Sequence, residues 1–256
     1  MTKIKIKNNI AQQRMINAGK RLASIFEQIN FDFLVNKSTL EIDLFISKKM
    51  EEKQIISLAK GYINSSGDIY PSFTCISINN ILVHGIPNKN VFVKEDDLVT
   101  IDVCGKYNGY CADMARTYSS CKNQIHKKLI DCAHESLNNG IEKAICGNTL
   151  GDVGYIIEKT IINYGFSVAD TFCGHGIGEN LHESPEVYNT GSIKEGVLLK
   201  KGMCLAIEPM ICEKKSEIII DNNDGWTAYT KDGGLAVHEE DTIIVSDDYP
   251  IVTTRL

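Results

Sequence analysis

Between Ile10 and Ile29 the apolar positions Met15, Ile16, Ala18, Leu22, Ile25, Phe26 and Ile29 recur at a helical period, which predicts an amphipathic helix. Ser38-Thr39-Leu40-Glu41 has the form of a capping box, where serine and glutamate satisfy each other's free N–H groups, and predicts a second helix toward Lys53. A polar loop, Asn64 to Pro71, follows. Phe73 to Asn79 alternates like a strand, and Ile81 to His84 reads as another, ended by Gly85-Ile86-Pro87. Gln124 to Ile145 reads as a long helix capped by Gly147, and Thr149 to Tyr164 as a further helix stopped by Gly165. The remainder is strand-rich: Phe166 to Phe172, Cys204 to Cys212, Glu217 to Ile220, Trp226 to Thr230 and Leu235 to Ser246.

The stretch Leu98 to Thr117 organises the rest. Asn108-Gly109 is a strong hairpin signal, because both residues accept the positive φ of a tight turn between strands. A two-residue turn there pairs Tyr107 with Tyr110, sets Asp102 opposite Ala115, and sets Asp113 opposite Cys104. Side chains alternate along strands, so both aspartates leave the same face as diagonal neighbours. Two carboxylates there repel unless a positive group lies between them; solvated acids on a surface hairpin are the plainer alternative. Helices followed by strands occur in each half of the chain, without a linker rich in Pro, Gly or Ser. The expectation is a single α+β domain over residues 1–256, with a sheet covered by helices.

Composition narrows the class. With 256 residues, 43% hydrophobic and 23% charged, the chain can bury a large core and has the balance of a soluble globular protein. A net charge of -6 argues against a nucleic-acid backbone as the main ligand. Met1 to Asn9 lacks the apolar core of a signal peptide, and no apolar run approaches the length that crosses a bilayer. The 9 cysteines stand singly, with no Cys-x-x-Cys pair, which fits reduced thiols in the cytoplasm. Cys75, Cys111, Cys173 and Cys204, near the motifs, are expected to serve packing.

Candidate chemistry lies in isolated polar residues set among apolar ones. His84 ends an apolar strand, and a satisfied core or edge histidine is the plain reading of it. His175 is bracketed by glycines in Gly174-His175-Gly176-Ile177-Gly178, which lets backbone or substrate approach one imidazole, though a flexible turn reads the same way. His182 follows seven residues later. Glu208 sits in Leu205-Ala206-Ile207-Glu208-Pro209-Met210, where a buried acid needs a cation or hydrogen bonds, and Pro209 suggests an edge or bulge. Glu239 and Glu240 head the apolar run Thr242 to Val245, and the pattern alone does not choose between them. Two aspartates, two glutamates and an imidazole, without sulfur, fit a pair of divalent ions such as manganese, iron, cobalt or zinc.

In order and spacing, these motifs resemble those of the methionine aminopeptidases, in the short bacterial type I form, across essentially the whole chain. The matching segments are Cys75 to Asn79, Val83 to Pro87, Ile101 to Val103, Gly174 to Gly178, Ile207 to Met210, Asp224 to Thr227 and Glu240 to Ile243. The resemblance implies a pita-bread fold, two pseudo-symmetric αβ halves around a mostly antiparallel central sheet. It implies two divalent ions held by Asp102, Asp113, His175, Glu208 and Glu240, the last chosen over Glu239 by aligning Thr242 to Val245. It also implies that a water attacks the first peptide carbonyl with Glu208 as proton shuttle, that His182 stabilises the oxyanion, and that His84 contacts the scissile amide or its neighbour. Removal of initiator methionine from nascent chains with a small second residue is the expected activity. A cytoplasmic monomer is expected, with nascent N-termini as partners, transient ribosome contact through the catalytic domain's own surface, and neither nucleic acid nor membrane bound.

The methionine pocket departs from the family pattern. Tyr70 and Trp226 stand in place. Leu181 replaces a common aromatic, Gly67 falls where a tyrosine is usual, Asn64 where a cysteine is often found, and Cys104 where a small hydroxyl residue is common. Loss of aromatic walls widens a pocket, so relaxed specificity is an open expectation. His126 and His134 are expected in solvent, and His238 has no role beyond structure or the pocket edge. Alternatives of other kinds are a paralogue with altered specificity, an Xaa-Pro peptidase, for which the usual extra domain has no room, and a non-catalytic peptide-binding module.

Overall fold

The computed structural model describes residues 4–256. Helix α1 (Asn9–Phe26) starts where the Asn8 side chain accepts the Ala11 N–H, and it ends three residues before the expected Ile29. A one-turn helix α2 (Phe31–Leu34), too short to leave a periodic signature, separates it from α3 (Thr39–Glu52). The capping box of α3 is formed, with Glu41 N–H on Ser38 Oγ at 3.2 Å and Ser38 N–H on Glu41 Oε2 at 2.8 Å. Strands β1 (Ile56–Ser57), β2 (Cys75–Ile78) and β3 (Ile81–Val83) then lead into the long hairpin of β4 (Val99–Tyr107) and β5 (Tyr110–Tyr118).

The second half opens with α4 (Gln124–Lys143) and α5 (Leu150–Asn163). Helix α4 stops before Gly147, which takes φ +95° in the turn beyond it. Gly165, at φ +81°, does follow the C-cap of α5 as expected. Then come β6 (Ser167–Val168), β7 (Gly174–Gly176), β8 (Glu183–Val187), β9 (Cys204–Ile207), β10 (Met210–Cys212), β11 (Ile218–Ile220), β12 (Ala228–Thr230), β13 (Ala236–His238), β14 (Glu240–Ile244) and β15 (Ile251–Val252). Strands β7 and β8 were not expected, because Gly-His-Gly and Glu-Ser-Pro-Glu lack β-formers; they form by pairing with each other, and β7 also with β9.

Two expected strands are broken in an instructive way. Cys204 to Cys212 divides at Glu208-Pro209 into β9 and β10, and Leu235 to Ser246 divides at Glu239 into β13 and β14. Each pair of fragments then enters different sheets: β9 and β14 pair in the nine-stranded sheet, β10 and β13 in a three-stranded one. The chain changes sheet at neighbouring points, where Glu239 N–H reaches Pro209 O at 3.3 Å. Proline cannot continue a ladder, so Pro209 marks the crossing.

The large sheet has the order β1-β4-β5-β14-β9-β7-β8, with β2 on β4 and β15 on β14, and every pairing is antiparallel. The β5–β14 ladder joins the two halves, and the Thr242 hydroxyl extends it by donating to Asp113 O at 2.8 Å and accepting Asp113 N–H at 2.9 Å. Alternation divides the sheet faces. Ile101, Val103 and Met114 join the core under α1 and α3, while Leu205, Ile207 and Ile243 join the core under α4 and α5. Asp102, Cys104 and Asp113, offset by one residue, face a cavity on the other side.

Candidate metal centre

The cavity has a volume of about 960 Å³. One end is acidic. The hairpin register is the expected one, Asp102 opposite Ala115 and Asp113 opposite Cys104, so both aspartates project into it. The two sheet-crossing points supply Glu208 and Glu240, and β7 supplies His175 beside Ala206 of β9. His175 Nε2 lies 3.8 Å from Asp113 Oδ2 and 3.7 Å from Glu208 Oε1. Of the adjacent acids, Glu240 faces the cavity. Glu239 turns away, accepting Thr117 N–H at 2.7 Å, with Arg116 at 3.8 Å.

The electrostatics of this end call for a cation. Burial pushes the Asp102 carboxyl up to about 6, and burial together with neighbouring carboxylates holds Asp113 and Glu240 well above the usual range. Asp113 Oδ1 and Glu240 Oε1 are buried without a hydrogen-bond partner. Unpaired buried acceptors of this kind are costly unless something else satisfies them. Donor atoms converge in two triads, each within 4.8 Å: Asp113, His175 and Glu240, and Glu208, His238 and Glu240. The residues present thus fit divalent cations, with Glu240 common to both triads.

His238 was missed by the sequence reading, which left it at the pocket edge without a role. It is buried at the last position of β13, with Nε2 3.5 Å from Glu208 Oε2 and 3.9 Å from Glu240 Oε2. The available signal was its place after the apolar run Leu235 to Val237 and two residues before Glu240. His126 also departs from expectation: it is buried, with Nδ1 2.9 Å from Ser119 Oγ. His134 is half-exposed and has Nε2 3.4 Å from Glu239.

His175 and His182 stand with ring centroids 4.4 Å apart but are prepared differently. His175 Nδ1 lies 2.9 Å from Gly176 O, a group that only accepts, so the proton sits on Nδ1 and the Nε2 lone pair faces the carboxylates. His182 Nδ1 lies 2.7 Å from the Tyr62 hydroxyl. With the phenol as donor, the N–H of His182 lies on Nε2 and can itself donate. Burial first, then the neighbouring His175, lowers the His182 pKa to about 4, so the ring is neutral near pH 7. Burial likewise holds His84 at about 4. His84 takes φ +60°, a strained conformation for a residue with a Cβ, and its ring stands edge-on to Phe172 and Trp226.

The other end of the cavity is apolar. Tyr70, Trp226, Leu181 and Cys104 line it, as the sequence reading placed them, together with Ala59 and Tyr62. Tyr70 and Trp226 meet edge-to-face at 5.2 Å, and Tyr62 and Trp226 at 6.2 Å. Asn64 and Gly67 do not line it, which corrects the pocket reading. Asn64 instead closes its own turn, accepting the Ser66 and Asp68 N–H groups at 2.9 Å each, and donates to Gly225 O at 3.1 Å. Gly67 stands at the exposed turn with φ +92°. An aromatic wall is therefore kept at Tyr62, five residues earlier than the position weighed for it.

Comparison with known proteins agrees with this geometry. The model of metallopeptidase family M24 matches residues 13–247. The methionine aminopeptidase of Aquifex aeolicus is 35% identical over 248 residues, spanning 95% of this chain and 96% of that protein. Methionine aminopeptidase 1 of Bacillus subtilis is 35% identical, over 94% of this chain and 95% of its own length. The crystal structure of the Thermotoga maritima methionine aminopeptidase superposes with a TM-score of 0.93 at 33% identity, covering 99% of this chain and all of that one. The prolidase of Pyrococcus furiosus shares the fold, with a TM-score of 0.74 at 21% identity over 65% of its chain. The α+β pita-bread architecture expected from the motifs is thus the observed one. The chain belongs to metallopeptidase family M24 and, within it, to the methionine aminopeptidases.

Proposed function

We propose that this chain removes the initiator methionine from nascent polypeptides whose second residue is small, using two divalent ions held by Asp102, Asp113, His175, Glu208 and Glu240. The observation that carries the reading is the convergence of these five side chains on one cavity, with Asp113 Oδ1 and Glu240 Oε1 buried and unpartnered. Divalent ions bound there supply Lewis-acid polarisation of the carbonyl and a water of lowered pKa. The donor set accepts manganese, iron, cobalt or zinc.

The protein's own groups do the rest. Glu208, at the break between β9 and β10, accepts the proton lost by the attacking water and passes it to the leaving amine. The Nε2–H of His182, set by Tyr62, donates to the carbonyl oxygen as it gains negative charge. His84, fixed by its backbone and by Phe172 and Trp226, faces the scissile amide. The acidic end attracts the free ammonium of a chain terminus, which limits cleavage to the first residue. Tyr62, Tyr70, Leu181, Trp226, Cys104 and Ala59 receive the methionine side chain. We assign the work to a cytoplasmic monomer acting on nascent chains, with transient ribosome contact.

The test is peptide cleavage by chelated protein, before and after manganese, cobalt, iron or zinc is restored. Met-Ala-Ser should release methionine only with metal, while Met-Lys-Ser, Leu-Ala-Ser and Gly-Pro-Ser should resist. Equal cleavage of Leu-Ala-Ser would remove the methionine selectivity and keep the chemistry. Cleavage of Gly-Pro-Ser in place of Met-Ala-Ser would favour the Xaa-Pro reading, and no cleavage with ions bound would favour a binding module.

A further inference from the structure

His238 is an imidazole that the five-ligand scheme does not use. It lies at the end of β13, one residue before the chain crosses into the large sheet, and is 2% exposed. Neither ring nitrogen has a hydrogen-bond partner, although both are buried. A buried histidine normally satisfies at least one nitrogen, so this arrangement is costly as it stands. The position is nevertheless well fixed, since the backbone of His238 pairs with Met210 and its carbonyl accepts the Thr117 hydroxyl at 2.9 Å. The ring is held with its nitrogen facing the carboxylates.

Its distances to those carboxylates discriminate between roles. Nε2 stands 3.5 Å from Glu208 Oε2 and 3.9 Å from Glu240 Oε2, too far for well-formed hydrogen bonds. Two donors bound to one cation at about 2.0–2.2 Å each lie roughly 3–4 Å apart, which is the spacing found here. The three donor atoms also fall within 4.8 Å of one another, as those of Asp113, His175 and Glu240 do. The two triads share Glu240, and Glu208 lies 3.7 Å from His175 Nε2 as well, so two imidazoles face the same carboxylates.

We propose that His238 is a metal ligand, binding through Nε2 an ion that Glu208 and Glu240 also hold, so that the centre carries two imidazoles. The inference rests on reading the acidic cavity as a metal centre. Ligation satisfies Nε2, and the proton stays on Nδ1, shielded from water. An added imidazole among carboxylates shifts the preference of that ion away from the oxygen-seeking manganese and toward cobalt or zinc.

The experiment is proton NMR of the cobalt(II)-loaded full chain, with histidine ring nitrogens labelled. Each bound imidazole contributes a strongly contact-shifted, exchangeable N–H resonance coupled to labelled nitrogen. Two are expected at two equivalents of cobalt, and His238→Gln should lose one while keeping the other. The same variant should lower cobalt affinity at one of the two sites by about tenfold or more, with a smaller change for manganese, by calorimetry. One contact-shifted resonance in the wild-type protein at full loading would overturn the proposal and leave the metal centre intact. No binding of cobalt would overturn both. The wild-type spectrum decides by itself if His238→Gln fails to fold.

Discussion

The two ends of the cavity are built on different principles. The acidic end is bolted into the nine-stranded sheet: Asp102 and Asp113 are fixed by ladder register, Glu240 begins β14, and the Thr242 hydroxyl ties β14 to the Asp113 backbone. Cys104 of β4 apart, the apolar end is assembled from chain segments outside that ladder, Leu58 to Tyr70, the Leu181-His182 turn and Trp226, which meet through aromatic edges. A register-fixed group cannot move without shifting a strand, so the chemistry is rigid. Side chains on loops can change one at a time, so specificity is the part free to diverge.

Substitutions at the two ends should therefore differ in kind. Glu208→Gln keeps shape but removes the proposed base together with one of the ion-holding carboxylates, and should lower kcat by roughly 10²–10⁴ and weaken ion binding, as checked by steady-state kinetics and metal analysis. His182→Ala removes the proposed oxyanion donor and should cost about 10²–10³ in kcat, with a smaller effect on KM. Tyr62→Phe removes only the hydroxyl that sets the His182 proton. A loss of about tenfold in kcat is expected, by analogy with second-layer partners of other site residues. Equal activity would show that His182 finds its tautomer without Tyr62. At the apolar end, Leu181→Phe should narrow the pocket and alter the ratio of Met-Ala-Ser to Leu-Ala-Ser cleavage by no more than about tenfold. Gly67 and Asn64 lie outside the pocket, so Asn64→Ala should leave that ratio within about twofold, a surface-loop effect. A larger change would restore the loop to the specificity site.

Removing metal sharpens the contrast through pH. Burial raises Asp102 from its ordinary value near 3.8 to about 6, and raises Asp113 and Glu240 as well. A carboxyl raised in the native state keeps its proton after the unfolded chain has released it. The metal-free protein should then lose stability as pH rises from about 4 through about 6, and metal should restore more stability at pH 7 than at pH 4. Melting temperatures with and without chelator across that range would check it. A metal-free protein that gains stability over the window would contradict the buried-carboxylate account.

Much of this was legible in the sequence where local rules and tertiary structure agree. The Asn108-Gly109 turn fixed the hairpin register, and the capping box at Ser38 and Glu41 fixed the start of α3. Legibility failed where pairing is non-local. Strands β7 and β8 exist because β9 offers an edge, and the breaks at Glu208 and Glu239 follow from a change of sheet that periodicity along one strand cannot express. The same limit hid His238, whose importance comes from Glu208 across the crossing, and placed Asn64 and Gly67 in the pocket when the turn carries them away. The motifs located the four acids Asp102, Asp113, Glu208 and Glu240 and the imidazole of His175, which line the cavity; the backbone pattern alone left Glu239 and Glu240 open.

The proposed activity requires that peptide cleavage depend on ions bound at the acidic end. The most direct measurement is a titration of chelated protein with cobalt or manganese in which bound ion and methionine released from Met-Ala-Ser are followed in one experiment. Activity should return in step with ions bound, and His182→Ala, which removes no ion-holding group, should bind ion with release lowered by about 10²–10³. Cleavage that persists in the chelated protein, or ion binding unaffected by Asp113→Asn and Glu240→Gln together, would contradict it.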